Sequence, residues 1–396
     1  MSGPLRIMHI STRLILGGSQ ENTVLSCEGQ SDAGHEVALV FGPIYGPEGS
    51  LLERVKKHGG IETIETPNLV RELAPRKDLR CFRDLRRIIR GWKPDVVHTH
   101  SSKAGILGRA AAWKERIPCV IHTIHGLAFH RYMSTWRNAI YIASERWAAK
   151  RCHRIVCVAD AMRDQALAAH IGRPEQYITV YSGMETGRFI SPEWDREGVR
   201  HDLGLSGDDF VLGTIARLAE LKGHDDLLDA LEPLMHDRPN LKLLWVGDGW
   251  WADRLLGRVR EMGLADRVIT TGLVPPEEIP KYLQAMDCLA HPSYREGLPR
   301  TVPQALLNGK PAIAYDVDGT KEVCLDGETG RLIAPGDLTG LRESVQWMMD
   351  HPAERQAMGQ RGRDLCRERF AASRMVEHLE GIYRDVLEHA ATPPHH

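Results

Sequence analysis

Short runs rich in valine, isoleucine and leucine, each followed by an amphipathic stretch, recur along both halves of this chain. In the first half they read Leu5–Ile10, Val37–Phe41, Asp95–His100, Cys119–Ile124 and Arg154–Val158. In the second they read Phe210–Ile215, Lys242–Val246, Val268–Thr271, Asp287–His291 and Pro311–Tyr315. A strand with one face in water alternates apolar and polar residues. Runs this apolar are buried on both faces, as in parallel sheets covered by crossover helices. The pattern predicts two Rossmann-like α/β domains, and 396 residues suffice for two cores. The expected division is an N-terminal domain over 1–190, a linker over 191–207 and a C-terminal domain over 208–370. A last helix over 371–390 has the option of crossing back to the N-terminal domain.

Composition removes other classes. With 42% hydrophobic and 26% charged residues, the chain is globular. No apolar run approaches the roughly 20 residues of a spanning helix. The segment Met1 to Ile10 carries one arginine and enters a strand directly, unlike a secretory signal. The expected location is the cytoplasm, with peripheral attachment to the inner face of the membrane as the variant. Eight cysteines without a Cys-x-x-Cys pair point to reduced core thiols. Pro393-Pro394-His395-His396 is set aside as a tail.

The basic charge is concentrated: between Arg71 and Arg154, 19 basic residues face 6 acidic ones. This half either meets an anionic partner or carries a solvated basic face. In Arg80–Lys93, Phe82, Leu85, Ile88, Ile89 and Trp92 recur at helical spacing between arginines, and 131–151 adds Trp136, Tyr141 and Trp147. An anionic membrane surface or a lipid-linked acceptor would suit that pattern, whereas packing of the same apolar residues on the sheet would leave only the arginines exposed. Nucleic acid is not an expected partner.

Parallel sheets bind ligands beyond the carboxyl ends of their strands, so the loops there hold the candidates. After the first run comes Gly17-Gly18, ahead of a helix expected near Ser19, where free N–H groups favour phosphate. Many such pairs are only turns. No Gly-x-Gly-x-x-Gly follows this strand, which disfavours a dinucleotide enzyme. After the first run of the second half comes Arg217-Leu218-Ala219-Glu220-Leu221-Lys222-Gly223, two cations suited to a diphosphate or, alone, to a surface. The third segment, His291 to Ala305, sets Glu296 on a loop and Gln304 on a helix beginning near Thr301. Both could grip ligand hydroxyls, or be a salt-bridged glutamate and a solvated glutamine.

In this order the loops resemble those of the retaining glycosyltransferases of family 4, whose GT-B fold sets two Rossmann-like domains facing each other across a cleft. The resemblance covers essentially the whole chain. The family's Gly-Gly loop is similar to Gly17-Gly18, its Arg-x4-Lys-Gly to Arg217–Gly223 and its Gly-x-Gly to Gly247-Asp248-Gly249. Its Glu-x7-Glu box resembles Glu296 to Gln304, and its V-x-V-S-x-x-M stretch resembles Val156 to Met162. The resemblance implies that Arg217 and Lys222 bind the donor diphosphate and that Gly17-Gly18 closes over it from the opposite domain. It implies that Leu273 and Val274 line the base, Glu296 holds donor-sugar hydroxyls and Gln304 the ribose. Leu298, Arg300 and Thr301 complete the donor site. His125 matches the family's histidine beside the reaction centre, so the implied catalytic set is His125, Glu296, Arg217 and Lys222.

Two positions depart from the family. Gln304 stands where the second glutamate is usual, keeping an acceptor oxygen without the charge. Pro299 often has glycine as its counterpart and offers no N–H, which leaves the phosphates to the amides of Arg300 and Thr301.

His98, His100, His122, His125 and His130 crowd adjacent strand ends. Without a His-x3-His pair or clustered carboxylates, a metal ranks below core packing and acceptor binding, and no metal or other cofactor is expected. His100 and Lys103 are the acceptor candidates, Lys103 with solvation as its alternative. The implied activity is metal-independent, retaining transfer of a sugar from a nucleotide-diphosphate sugar, UDP being favoured. The acceptor is a glycan, a lipid-linked compound or a small molecule. An epimerase of the same fold, or a non-catalytic binder of nucleotide sugars, is the competing reading.

Overall fold

The computed structural model describes residues 3–44 and 49–391; the Pro393–His396 tail lies outside them. The chain forms two compact units. One comprises residues up to Met184 with those from Ala372 onward, and the other runs from Glu185 to Ala371.

The first unit is built on a parallel sheet of β1 (Arg6–Ser11), β2 (Glu36–Phe41), β3 (Ile61–Glu65), β4 (Val96–His100), β5 (Cys119–Ile124), β6 (Arg154–Cys157) and β7 (Tyr177–Thr179). Their order across the sheet is β3-β2-β1-β4-β5-β6-β7, so the winding reverses between β1 and β4. β4 and β5 are buried along their whole length, which explains their unbroken apolar and histidine-bearing reading. The helix Ala372–Ala391 packs Val376, Leu379, Tyr383 and Val386 against Ile7, Leu25, Val96 and Ile121, and so belongs to this unit's core.

The second unit repeats the scheme with β8 (Phe210–Ile215), β9 (Leu241–Val246), β10 (Val268–Thr270), β11 (Cys288–His291), β12 (Ala312–Tyr315) and β13 (Gly330–Ile333), again parallel. The order β10-β9-β8-β11-β12-β13 puts the reversal between β8 and β11. Trp245 and Tyr315 anchor its core among leucines of the helix His224–Asp237.

The strands β3, β7 and β13 were not predicted. The expected linker over 191–207 is corrected: the division falls after Met184, and this segment is built into the second unit. Asp195 caps the helix Arg196–Asp202 by accepting from the Gly198 N–H at 2.8 Å. Arg196 donates to the carbonyls of Gln284 and Met286, and both Arg196 and Arg200 reach Asp287. All eight cysteines are free and buried.

Candidate active site

At the β8/β11 reversal, three strand-end loops of the second unit are pressed together. Gly223 has φ +74°, and a Cβ there would stand 2.0 Å from the Pro292 carbonyl oxygen, so only glycine lets the loop after β8 meet the loop after β11. Gly249 likewise lies against the Leu218 carbonyl, where a Cβ would come within 2.2 Å. The indole N–H of Trp250 donates to Glu220 at 2.8 Å, and the Arg217 guanidinium lies 5.5 Å from the Trp250 ring centre. Gly247 donates to the Gly272 carbonyl at 3.1 Å, which sets the β10 loop beside the β9 loop. On that loop Leu273 is 65% exposed and Val274 half-buried.

Here Lys222 Nζ donates to Glu296 Oε1 at 2.7 Å, and His291 Nε2 lies 3.2 Å from the same oxygen. The Glu296 N–H donates to Asp318 at 2.7 Å. Burial alone would raise the Glu296 pKa, but the Lys222 ammonium and His291 hold it well below the ordinary carboxylate range. His224, at the start of the following helix, is pushed down to about 4 by burial and then by the Lys222 charge, and is neutral. Thr301 Oγ1 is 3.2 Å from His291 Nδ1, at the start of the helix Thr301–Leu307. Arg300 is that helix's N-cap residue, and Leu298 and Gln304 are buried beside it. Two residues here stand in no recognisable motif: Asp318, and Asp226, whose Oδ2 accepts from the hydroxyls of Tyr294 at 2.6 Å and Tyr315 at 2.5 Å.

The first unit places its candidates around the β1/β4 reversal. Gly17 is the N-cap of the helix Gly18–Asp32, whose first turn receives no side-chain cap. His100 is fully buried, so its expected contact with an acceptor is corrected: it carries a hydrogen-bonded file of side chains to His125. Gln30 Oε1 is 2.7 Å from His9 Nε2, His9 Nδ1 is 2.9 Å from His100 Nε2, and His100 Nδ1 is 3.0 Å from His125 Nε2. An amide oxygen only accepts, so His9 carries its proton on Nε2. His100 must then donate from Nε2 to His9 and accept at Nδ1 from His125 Nε2. Gln30 Nε2 in turn donates to the Tyr383 hydroxyl at 3.2 Å. Burial, reinforced by neighbouring histidines, holds His98 and His100 well below their ordinary pKa, and burial brings His9 to about 4, so these three are neutral.

Lys103 donates to Asp78 at 2.6 Å and is mostly buried, which corrects the solvated alternative for it. Among the described residues, His9, His98 and His100 have ring nitrogens within 4.8 Å of one another, the spacing of a metal site. All six of those nitrogens are already hydrogen-bonded, with His98 spanning Tyr383 and Thr123 at 2.6 Å each. The basic stretch also divides. In the helix Pro75–Trp92, Leu85 and Ile89 are buried, and Arg86 and Arg90 pair with Glu115. On the helix Thr135–Ala149, Trp136, Ile140 and Trp147 are exposed, with Arg137 and Arg151 over the two indoles. No helix of the described residues is long and apolar enough to cross a membrane.

Two family models match, between them covering most of the chain: a glycosyl transferase 4-like domain over residues 17–183 and glycosyl transferases group 1 over residues 195–365. A putative glycosyltransferase, EpsD of Bacillus subtilis, is 28% identical over 79% of this chain and 82% of its own. The UDP-Gal:alpha-D-GlcNAc-diphosphoundecaprenol alpha-1,3-galactosyltransferase of Escherichia coli is 25% identical over 97% of each. The crystal structure of Anabaena HepE in complex with UDP-glucose superposes with a TM-score of 0.81, covering 96% of this chain and 100% of that one at 19% identity.

Proposed function

Because the chain belongs to the group 1 glycosyl transferases and has their GT-B fold, we propose that it moves a sugar from UDP to a lipid-linked acceptor, retaining the anomeric configuration. The observation that carries the proposal is the meeting of Lys222 and Glu296 on two strand-end loops at the β8/β11 reversal, with Arg217 five residues before Lys222. A cation paired with a carboxylate here is a donor site at rest. When the diphosphate arrives, Lys222 and Arg217 turn to its oxygens, and Glu296 is released to the sugar hydroxyls.

In the reaction the bond from the anomeric carbon to the phosphate oxygen breaks, and the acceptor oxygen bonds to that carbon from the same face. The acceptor's proton passes to the leaving phosphate oxygen. Lys222 and Arg217 stabilise the charge that develops there, the kind of preorganised contact that dominates transition-state stabilisation. His125, whose Nε2 hydrogen-bonds to His100, would contact a donor-sugar hydroxyl. The acceptor class is supported by the Escherichia coli relative, named for a UDP-sugar donor and a diphosphoundecaprenol-linked acceptor. Attachment to an anionic membrane surface would use the exposed tryptophans of the helix Thr135–Ala149.

The test is to incubate the protein with UDP-sugars and polyprenyl-diphosphate-linked sugars, following UDP release and the anomer formed. An inverted product, or UDP release with no glycosylated lipid, would overturn the proposal. Since two basic side chains serve the diphosphate, transfer should be unchanged by EDTA. Loss on chelation with recovery on added magnesium or manganese refutes metal independence.

A further inference from the structure

Where the strands of the second sheet begin, at the end opposite the donor loops, a pocket of about 460 Å³ is lined by Arg196, Asp287, Asn308, Lys310, Arg355 and Arg363, among others. Asp287 is its one carboxylate, and that carboxylate is already shared. It accepts from Arg196 at 2.7 Å, from the Val211 N–H at 2.8 Å and from Arg200 at 3.4 Å, with Arg355 at 3.9 Å. Lys310 and Arg363 remain. The Lys310 ammonium makes no hydrogen bond to any described residue, and the buried Nε of Arg363 has no partner. Asn308 donates from Nδ2 to the Phe189 carbonyl at 2.9 Å, while its Oδ1 is buried without a donor.

Burial first, then the charges of Arg196, Arg200 and Arg355, press Lys310 down to about 8, with Asp287 alone opposing them. Five cations around one carboxylate is an arrangement that folding alone does not favour, because burying like charges costs free energy that only a counter-ion removes. Guanidinium and ammonium groups on several sides of one space suit a tetrahedral oxyanion. The unpaired Asn308 oxygen suits the one hydroxyl of a hydrogen phosphate.

We propose that this pocket binds a multiply charged phosphate anion, separately from the sugar donor. Its source is either free inorganic phosphate or diphosphate, or the phosphate group of a larger organic ester. The pocket's volume falls within the range of small-molecule sites and accommodates either.

The test is isothermal titration of the full chain carrying Lys222→Ala, which removes a competing donor-site cation. The probes are inorganic phosphate, pyrophosphate and phenyl phosphate at constant ionic strength. One equivalent of at least one probe should bind, with Kd of about 1 mM or tighter. Adding Lys310→Met or Arg363→Gln should weaken that binding at least tenfold, while either change in the otherwise unaltered chain leaves UDP binding intact. Binding of phenyl phosphate as tight as that of phosphate assigns the site to an organic ester, and its exclusion assigns it to the inorganic ion. A parallel titration of the unaltered chain saturated with UDP covers the case in which Lys222→Ala does not fold. No binding by any probe, or binding unmoved by both substitutions, overturns the proposal. A failure of UDP to bind would count against the donor site alone, because the Lys222→Ala titration does not depend on it.

Discussion

Lys222 and Glu296 compensate each other's charge in a partly buried place, so each has a structural cost and a catalytic role that substitution can separate. Lys222→Ala leaves a buried carboxylate without its hydrogen-bonded cation. We expect the unfolding free energy to fall by about 1–3 kcal/mol, with a lower urea midpoint, and transfer to drop by about 10²–10³. Adding Glu296→Gln should restore the midpoint and not the rate, as chemical denaturation and UDP-release assays on both variants will show. The histidine file makes a second residue-scale prediction. Gln30→Leu removes the oxygen that fixes the tautomer of His9, and through it that of His125. The rate constant kcat should fall about tenfold, or 1.4 kcal/mol, with donor KM little changed and the ¹⁵N shifts of the His125 ring altered. An unchanged ring spectrum would refute the relay. These two sites differ in how far the sequence reveals them. Arg217, Lys222 and Glu296 are readable because each follows a strand in a recurring pattern. Gln30 and Tyr383 are not, since their hydrogen bonds span 21 and 353 residues with no periodicity.

At the scale of elements, the central strands are legible, and of the four outer ones only β10 is. β4 and β5 are buried end to end and read as unbroken runs, whereas β3, at the sheet edge, reads Ile-Glu-Thr-Ile-Glu. β7 has three residues, and β13 starts with glycine and arginine. An edge strand is specified by its neighbour's free hydrogen-bonding groups more than by its own side chains. The two basic helices were alike in sequence for a related reason: apolar residues at helical spacing face either a sheet or solvent, and only packing decides. Packing consumed the apolar face of Pro75–Trp92 and left that of Thr135–Ala149 open. Replacing both Trp136 and Trp147 with alanine should reduce co-sedimentation with anionic liposomes severalfold at physiological salt without changing the unfolding midpoint. Equal sedimentation of both proteins would remove this helix from membrane attachment.

For the whole molecule, the distribution of neutral buried histidines dictates how acid acts. His9, His98, His100 and His122 lie in the first unit with pKa values below the ordinary one, and His224 lies in the second. An unfolded histidine binds a proton below about 6.5 that its folded counterpart refuses. Stability is therefore complete above that pH and declines as pH falls toward 4, by up to about 3 kcal/mol for His9. Carboxylates held low, such as Glu296, add their loss only below about 4.5, so the window from 6.5 to 4.5 isolates the histidines. Amide exchange in β1, β4 and β5, corrected for intrinsic rate, should accelerate across that window more than in β8 and β9. Equal acceleration would contradict this account. The first unit also takes its final element from the far end of the chain, the helix Ala372–Ala391. On a ribosome that emits the chain from its amino end, the first unit's strands emerge early with the seat of that helix unfilled. The second unit, continuous from Glu185 to Ala371, is complete before it. The earlier-made domain is thus the later one to close, and in the meantime Ile7, Leu25, Val96 and Ile121 need a chaperone's cover or a transient substitute.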